Sequence, residues 1–137
     1  MDKNTTNIPD LQSPFEQLRE VDADGKEWWN SRKLARVMGY GKYWNFERVM
    51  AKAQAWTSQK GYHLGEHFVE ITEMAELGSG AVREVTSVRL SCAACMAVAM
   101  NADQKKEMVK VAQQYFGSTM TPDIAARSME SSILMYK

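Results

Sequence analysis

The chain is poor in the residues that staple, kink or ligate. Its 137 residues include three Pro, two Cys and two His. Two cysteines cannot build a disulfide framework, and with no cue for an oxidising compartment they are expected to be thiols. No apolar run approaches the ~18 residues of a membrane-spanning helix, so no membrane association is expected. The opening MDKNTTNIPDLQS has neither a basic stretch nor an apolar one, so it does not read as a signal peptide, and a cytoplasmic location is expected. Net charge is also lacking: 17 Lys and Arg face 17 Asp and Glu. The pI of about 6.7 lies below that of a dedicated DNA-binding domain. What remains is ordinary: 45% apolar and 25% charged residues are globular values. The length suits one domain, which buries roughly 65–70% of its unfolded surface.

Local signals divide the chain into short elements. Residues 1–12 are polar and aperiodic and are expected to form a disordered arm, leaving 13–137 as the domain. Phe15, Leu18 and Val21 recur every three residues, which fits a short helix as well as a strand. The DADG at 22–25 is a turn signal and predicts a hairpin with 26–29. Asn30 or Ser31 can cap a helix with Leu34, Val37 and Met38 inward, which Gly39 stops. A longer helix follows from about 43 to Gly61, with Phe46, Val49, Met50, Ala53 and Trp56 on one face. Residues 68–74 and 82–88 alternate strictly around a Gly-Ser-Gly turn, a second hairpin. Ser91 caps a small-residue helix over 92–100, and another is predicted over 104–117. Thr121-Pro122 would open a last helix, with Ile124, Met129 and Ile133 inward. The fold class is α+β: a single compact, mostly helical domain with two short hairpins and a helix-turn-helix-like pair at 31–60. Its expected core is Trp29, Leu34, Val37, Met38, Phe46, Met50, Phe68, Ile71, Val98, Val111, Tyr115 and Phe116.

Charge is distributed unevenly along this frame. Residues 31–60 hold seven Lys or Arg and one acid, Glu47, a net of +6. The flanking 1–30 and 61–90 come to −4 and −3. Helical spacing puts Arg32, Lys33 and Arg36 opposite the apolar side of the first helix of the pair. Asn45, Arg48 and Lys52 share one flank of the second. Lys42 and Tyr43 stand with Trp44 at that helix's N-terminus, where backbone N–H groups favour a phosphate. An amide that can pair with adenine, beside cations suited to phosphate or guanine, is the pattern of a DNA-reading helix. The competing account is a solvated helix face, but such faces usually interleave acids with their cations. The predicted binding residues are therefore Arg32, Lys33, Arg36, Lys42, Tyr43, Asn45, Arg48 and Lys52.

Other motifs mimic chemistry. His63-Leu-Gly-Glu66-His67 spells a zinc-protease signature. Gly65 interrupts any helix there, the two imidazoles would not share a face, and the chain has no third His. No metal is expected, and His67 should instead be hydrogen-bonded near the strand start. Cys92-Ala-Ala-Cys95 at a helix N-terminus has redox spacing, but the hairpins argue against the parallel βαβ context that such a pair needs. Two small buried residues are expected. The Ser and Thr hydroxyls have no base in view, so no enzyme and no cofactor are expected.

The residues left over form an ordered set. Phe15-Glu16, Trp29-Asn-Ser-Arg32, Leu34, Gly39-Tyr40 and Phe46 are followed by Glu66-His67-Phe68, Gly78-Ser-Gly-Ala81 and Arg83-Glu84. Then come Leu90-Ser91, Ala94-Cys95, Asn101, Asp103, Lys106 and 112–116 (AQQYF). Over about 14–118 this resembles the DNA-damage-inducible protein D family, whose N-terminal part is similar to the BRO-type domain of baculoviral and phage proteins. The chain departs from the family at Cys92 and Ala93, where an Arg and a Tyr are usual, and at Gln104, where Pro is usual. It also departs at 119–121 (TMT), where the family has Gln-Thr-Arg. Longer members continue with a helical C-terminal region. The resemblance implies a non-enzymatic protein of the bacterial DNA-damage (SOS) response or of phage regulation. Two readings stay open. One is a module that binds double- or single-stranded DNA through the 31–60 face. The other is an inhibitor- or antirepressor-type module that binds a recombination, repressor or DNA-coating protein.

Overall fold

A computed structural model describes residues 13–76 and 78–119. The expected N-terminal arm and the helix expected after Thr121 lie outside the described residues. Ser13 caps α1 (Pro14–Leu18) by accepting the Phe15 N–H, and Pro14 takes the first turn, where its missing N–H costs nothing. β1 (Glu20–Val21) and β2 (Glu27–Asn30) form the first hairpin. Its turn is built by Asp22, whose carboxylate accepts from the backbone N–H groups of Asp24 and Lys26 and from Trp28 Nε1. Gly25 there sits at φ +82°, a conformation glycine adopts freely.

β2 runs directly into α2 (Ser31–Val37). The Asn30 side chain caps it by accepting the N–H groups of Arg32 and Lys33. Gly39, at φ +90°, ends the turn that follows. α3 (Tyr43–Gln59) buries Phe46, Val49, Met50, Ala53 and Thr57. Trp56, expected on the inner face, is 39% exposed. The buried arc centres on Phe46 and Ala53, so Thr57 takes the inner position, satisfying its hydroxyl on Ala53 O at 2.7 Å.

β3 (Phe68–Glu76) and β4 (Val82–Leu90) form the second hairpin. The two hairpins are not separate. Trp29 pairs with Leu90 and Asn30 with Arg89, giving one antiparallel sheet of order β1-β2-β4-β3. Nor is the second hairpin short, since both strands run nine residues in unbroken register. Its root is buried at Phe68, Ser87 and Leu90, whereas Met74 and Val82 are 64% and 58% exposed.

Ser91 then caps α4 (Cys92–Asn101), whose Ala94, Cys95, Ala97, Val98 and Ala99 are buried. α5 (Glu107–Thr119) begins later than its apolar spacing predicts, because a turn on Asp103 precedes it. One cluster joins all these elements except β1, whose two residues are exposed. At its centre Phe15, Trp29, Tyr115 and Phe116 meet at ring separations of 4.9–6.3 Å. Trp29 Nε1 donates to Phe15 O at 2.8 Å. Of the expected core, Val37 and Val111 pack at its margin. Ile71 stands outside, half-buried on the projecting hairpin.

Candidate nucleic-acid interface

The eight predicted binding residues separate into groups. Arg32 and Tyr43 are built into the junction between α2 and β4. The Arg32 guanidinium lies over the Tyr43 ring at 4.0 Å and donates to Ser87 Oγ and Thr86 O. The Tyr43 hydroxyl meets Ser31 Oγ at 2.6 Å, and burial pushes its pKa up. These two side chains brace the fold. Lys33 and Arg36 are exposed on α2, and Lys42 is exposed at the start of α3, where no side chain caps the helix.

Asn45, Arg48 and Lys52 come together. They form one wall of an open cleft of about 440 Å³, with Tyr40, Asn101, Asp103 and Lys106 among the residues opposite. Three cations from two distant segments therefore face one space with a single carboxylate. A latch holds the walls. Tyr40 Oη accepts the Asp103 N–H at 2.9 Å, Lys106 Nζ donates to Gly39 O at 3.0 Å, and the ammonium lies 5.0 Å from the Tyr40 ring centre. Beside the cleft Trp44 is 54% exposed, and the Arg48 guanidinium lies 5.5 Å from its ring centre. An exposed ring with a cation across it offers both stacking and charge to a base and its phosphate.

Helical spacing found Asn45, Arg48 and Lys52 but missed the opposite wall. A signal for that wall did exist, because Tyr40, Asn101, Asp103 and Lys106 are among the residues on which the family resemblance rests. The decoy motifs resolve differently. His67 is buried at the end of a 3-10 turn over Leu64–Glu66, its Nδ1 is 2.7 Å from Ser91 Oγ, and burial lowers its pKa. His63 is solvent-facing, 3.5 Å from Glu66. Cys92 and Cys95 are buried, unbridged thiols. Burial pushes Cys92 up to about 12 and Cys95 well above its ordinary value, the reverse of a redox pair.

Fold and cleft together define an α+β module that presents three cations to an open cleft, with an exposed indole against Arg48 on the same helix. DNA damage-inducible protein D of Escherichia coli (strain K12) is 35% identical to it over 103 residues, 75% of this chain. The chain belongs to that family. It spans 38% of the length of that relative. No family model matches the chain, and no solved structure matches it.

Proposed function

We propose that this chain is a non-enzymatic, DNA-associated module of the DNA-damage response, holding nucleic-acid phosphates in the cleft between α3 and the α4–α5 turn. The name of its relative supports the cellular setting. The observation that carries the molecular reading is the convergence of Arg48, Lys52 and Lys106 on one cleft in a protein of zero net charge. Three cations gathered against a single carboxylate suit a polyanion, since each phosphate neutralised releases condensed counterions. Asn45 in the same wall adds a group able to pair with a base edge, and Trp44 adds a stacking surface.

The test is a salt titration of binding to random-sequence duplex and single-stranded DNA. Binding to either form that weakens steeply with salt supports the reading. No binding to either form at low salt removes it and turns the cleft toward an acidic protein surface instead, the inhibitor- or antirepressor-type alternative.

A further inference from the structure

The two long edges of the second hairpin are treated differently. From Leu90 back to Thr86 the outer edge of β4 is covered, by the pairing with β2 and then by α2, where Ser31 Oγ accepts the Val88 N–H at 2.9 Å and Arg32 Nη2 donates to Thr86 O at 2.9 Å. β3 is the terminal strand of the sheet. Among the described residues no hydrogen bond reaches its outward backbone groups. In an antiparallel pair alternate residues point their N–H and C=O away from the partner, so nine residues present a row of free donors and acceptors. Proteins normally blunt such an edge with charged side chains, Pro, a bulge or a covering element. The charges here are glutamates, which repel a like edge but not a cationic strand. Residues 68–76 (FVEITEMAE) contain neither Pro nor Lys, the register with β4 has no bulge, and no described element covers the strand.

The side chains along this edge carry one sign. β3 contributes Glu70, Glu73 and Glu76 and no cation. The exposed face of the hairpin sets Glu70, Thr72, Met74 and Glu76 against Val88, Thr86, Glu84 and Val82 of β4, again without a cation. Two β3 edges paired with each other would gather Glu70 and Glu76 of both copies, four carboxylates on a face without a cation, so a second copy is disfavoured. An extended cationic segment has the opposite character. Its backbone completes the ladder, and its alternate Lys or Arg side chains fall opposite Glu70 and Glu76. We infer that β3 is a docking edge for an extended, Lys- or Arg-bearing segment of a partner protein, which adds to the sheet as a fifth strand.

The probe is a capped nine-residue peptide of alternating Lys and Thr, titrated into the isotope-labelled full chain and followed by backbone amide shifts. A second peptide, N-methylated throughout, keeps the charges and loses every backbone donor. The expected result is shifts confined to 68–76, with no binding by the N-methylated peptide. Glu70→Lys with Glu76→Lys should weaken binding at least tenfold. Both glutamates are exposed, and unchanged circular dichroism confirms that the variant folds. The inference is overturned by equal binding of the N-methylated peptide, since plain charge attraction then suffices. Shifts centred on α3, no binding at millimolar peptide, or self-association through β3 without peptide binding would overturn it as well.

Discussion

Replacing Arg48 and Lys52 by Gln removes two of the three cations that face the cleft and leaves Lys106, which also holds Gly39 O and is better left alone. Each phosphate contact on duplex DNA contributes about 0.9 to the slope of log K against log salt, so three contacts give about −2.7 and one gives about −0.9. Between 50 and 200 mM salt, binding by the intact cleft should fall roughly 40-fold and by the variant roughly fourfold. The assay is fluorescence anisotropy of a labelled random-sequence duplex across that salt range. Neither substitution should disturb the fold. Both side chains are exposed, and the stack of Arg48 on Trp44 contributes about 0.5–1 kcal/mol at such a site. Urea midpoints of the two proteins should therefore lie close together. A variant that keeps a slope near −2.7 would refute the cleft as the contact surface, and so would an intact protein whose binding ignores salt.

Three further outcomes follow from the geometry. Asn30→Ala removes the cap of α2 and the 2.8 Å bond from Asn30 Nδ2 to Glu73. Chemical denaturation should show a loss of about 2 kcal/mol, the upper end for a cap, and a change under about 0.5 kcal/mol would deny the cap its role. His67 is buried with its pKa lowered from 6.5, so the unfolded chain takes up a proton that the folded one refuses. Its contribution is whole above about pH 6.5 and is lost as pH falls through the lower folded value; His67→Gln should flatten the melting temperature between pH 7.5 and 5.5, and an unchanged pH slope would refute this. Cys92 and Cys95 should be silent to a thiol reagent at pH 8 in the native protein and should both react in denaturant, whereas fast native reaction of either would contradict their burial.

Much of the fold is legible because its signals are local. Asn30 and Ser91 cap the helices that begin beside them, Gly39 stops one with a positive φ, and Asp22 with Gly25 builds the first turn from its own side chain. The alternation in 68–74 and 82–88 marks both long strands before any partner is known. What escapes is whatever depends on distant pairing. No local rule brings Trp29 opposite Leu90, so the two hairpins read as separate pieces. That pairing also places Ser31 and Arg32 against β4, where Arg32 bonds Ser87 and Thr86 and does not line the cleft. Half of the cleft escapes for the same reason. Helical period identifies Asn45, Arg48 and Lys52, but Lys106 arrives from more than fifty residues away, through a latch whose members are ordinary-looking polar residues.

The zero net charge acquires a physical meaning from this arrangement. A protein without net charge is not drawn as a whole toward a polyanion, and at physiological salt fields fade beyond about 8 Å. On the proposed reading, attraction is strongest where Arg48, Lys52 and Lys106 come within contact range together, so the cleft would set the pose as well as the affinity. The carboxylates on the second hairpin act in the opposite sense. Glu70, Glu73, Glu76 and Glu84 repel phosphate, and any pose that brings the hairpin to the nucleic acid is penalised. The proposed cleft is lined from within 40–52 and 101–106 and the proposed docking edge is 68–76, so the two share no residue. The two proposed surfaces are thus compatible on one molecule, and the segregation of charge keeps their ligands apart.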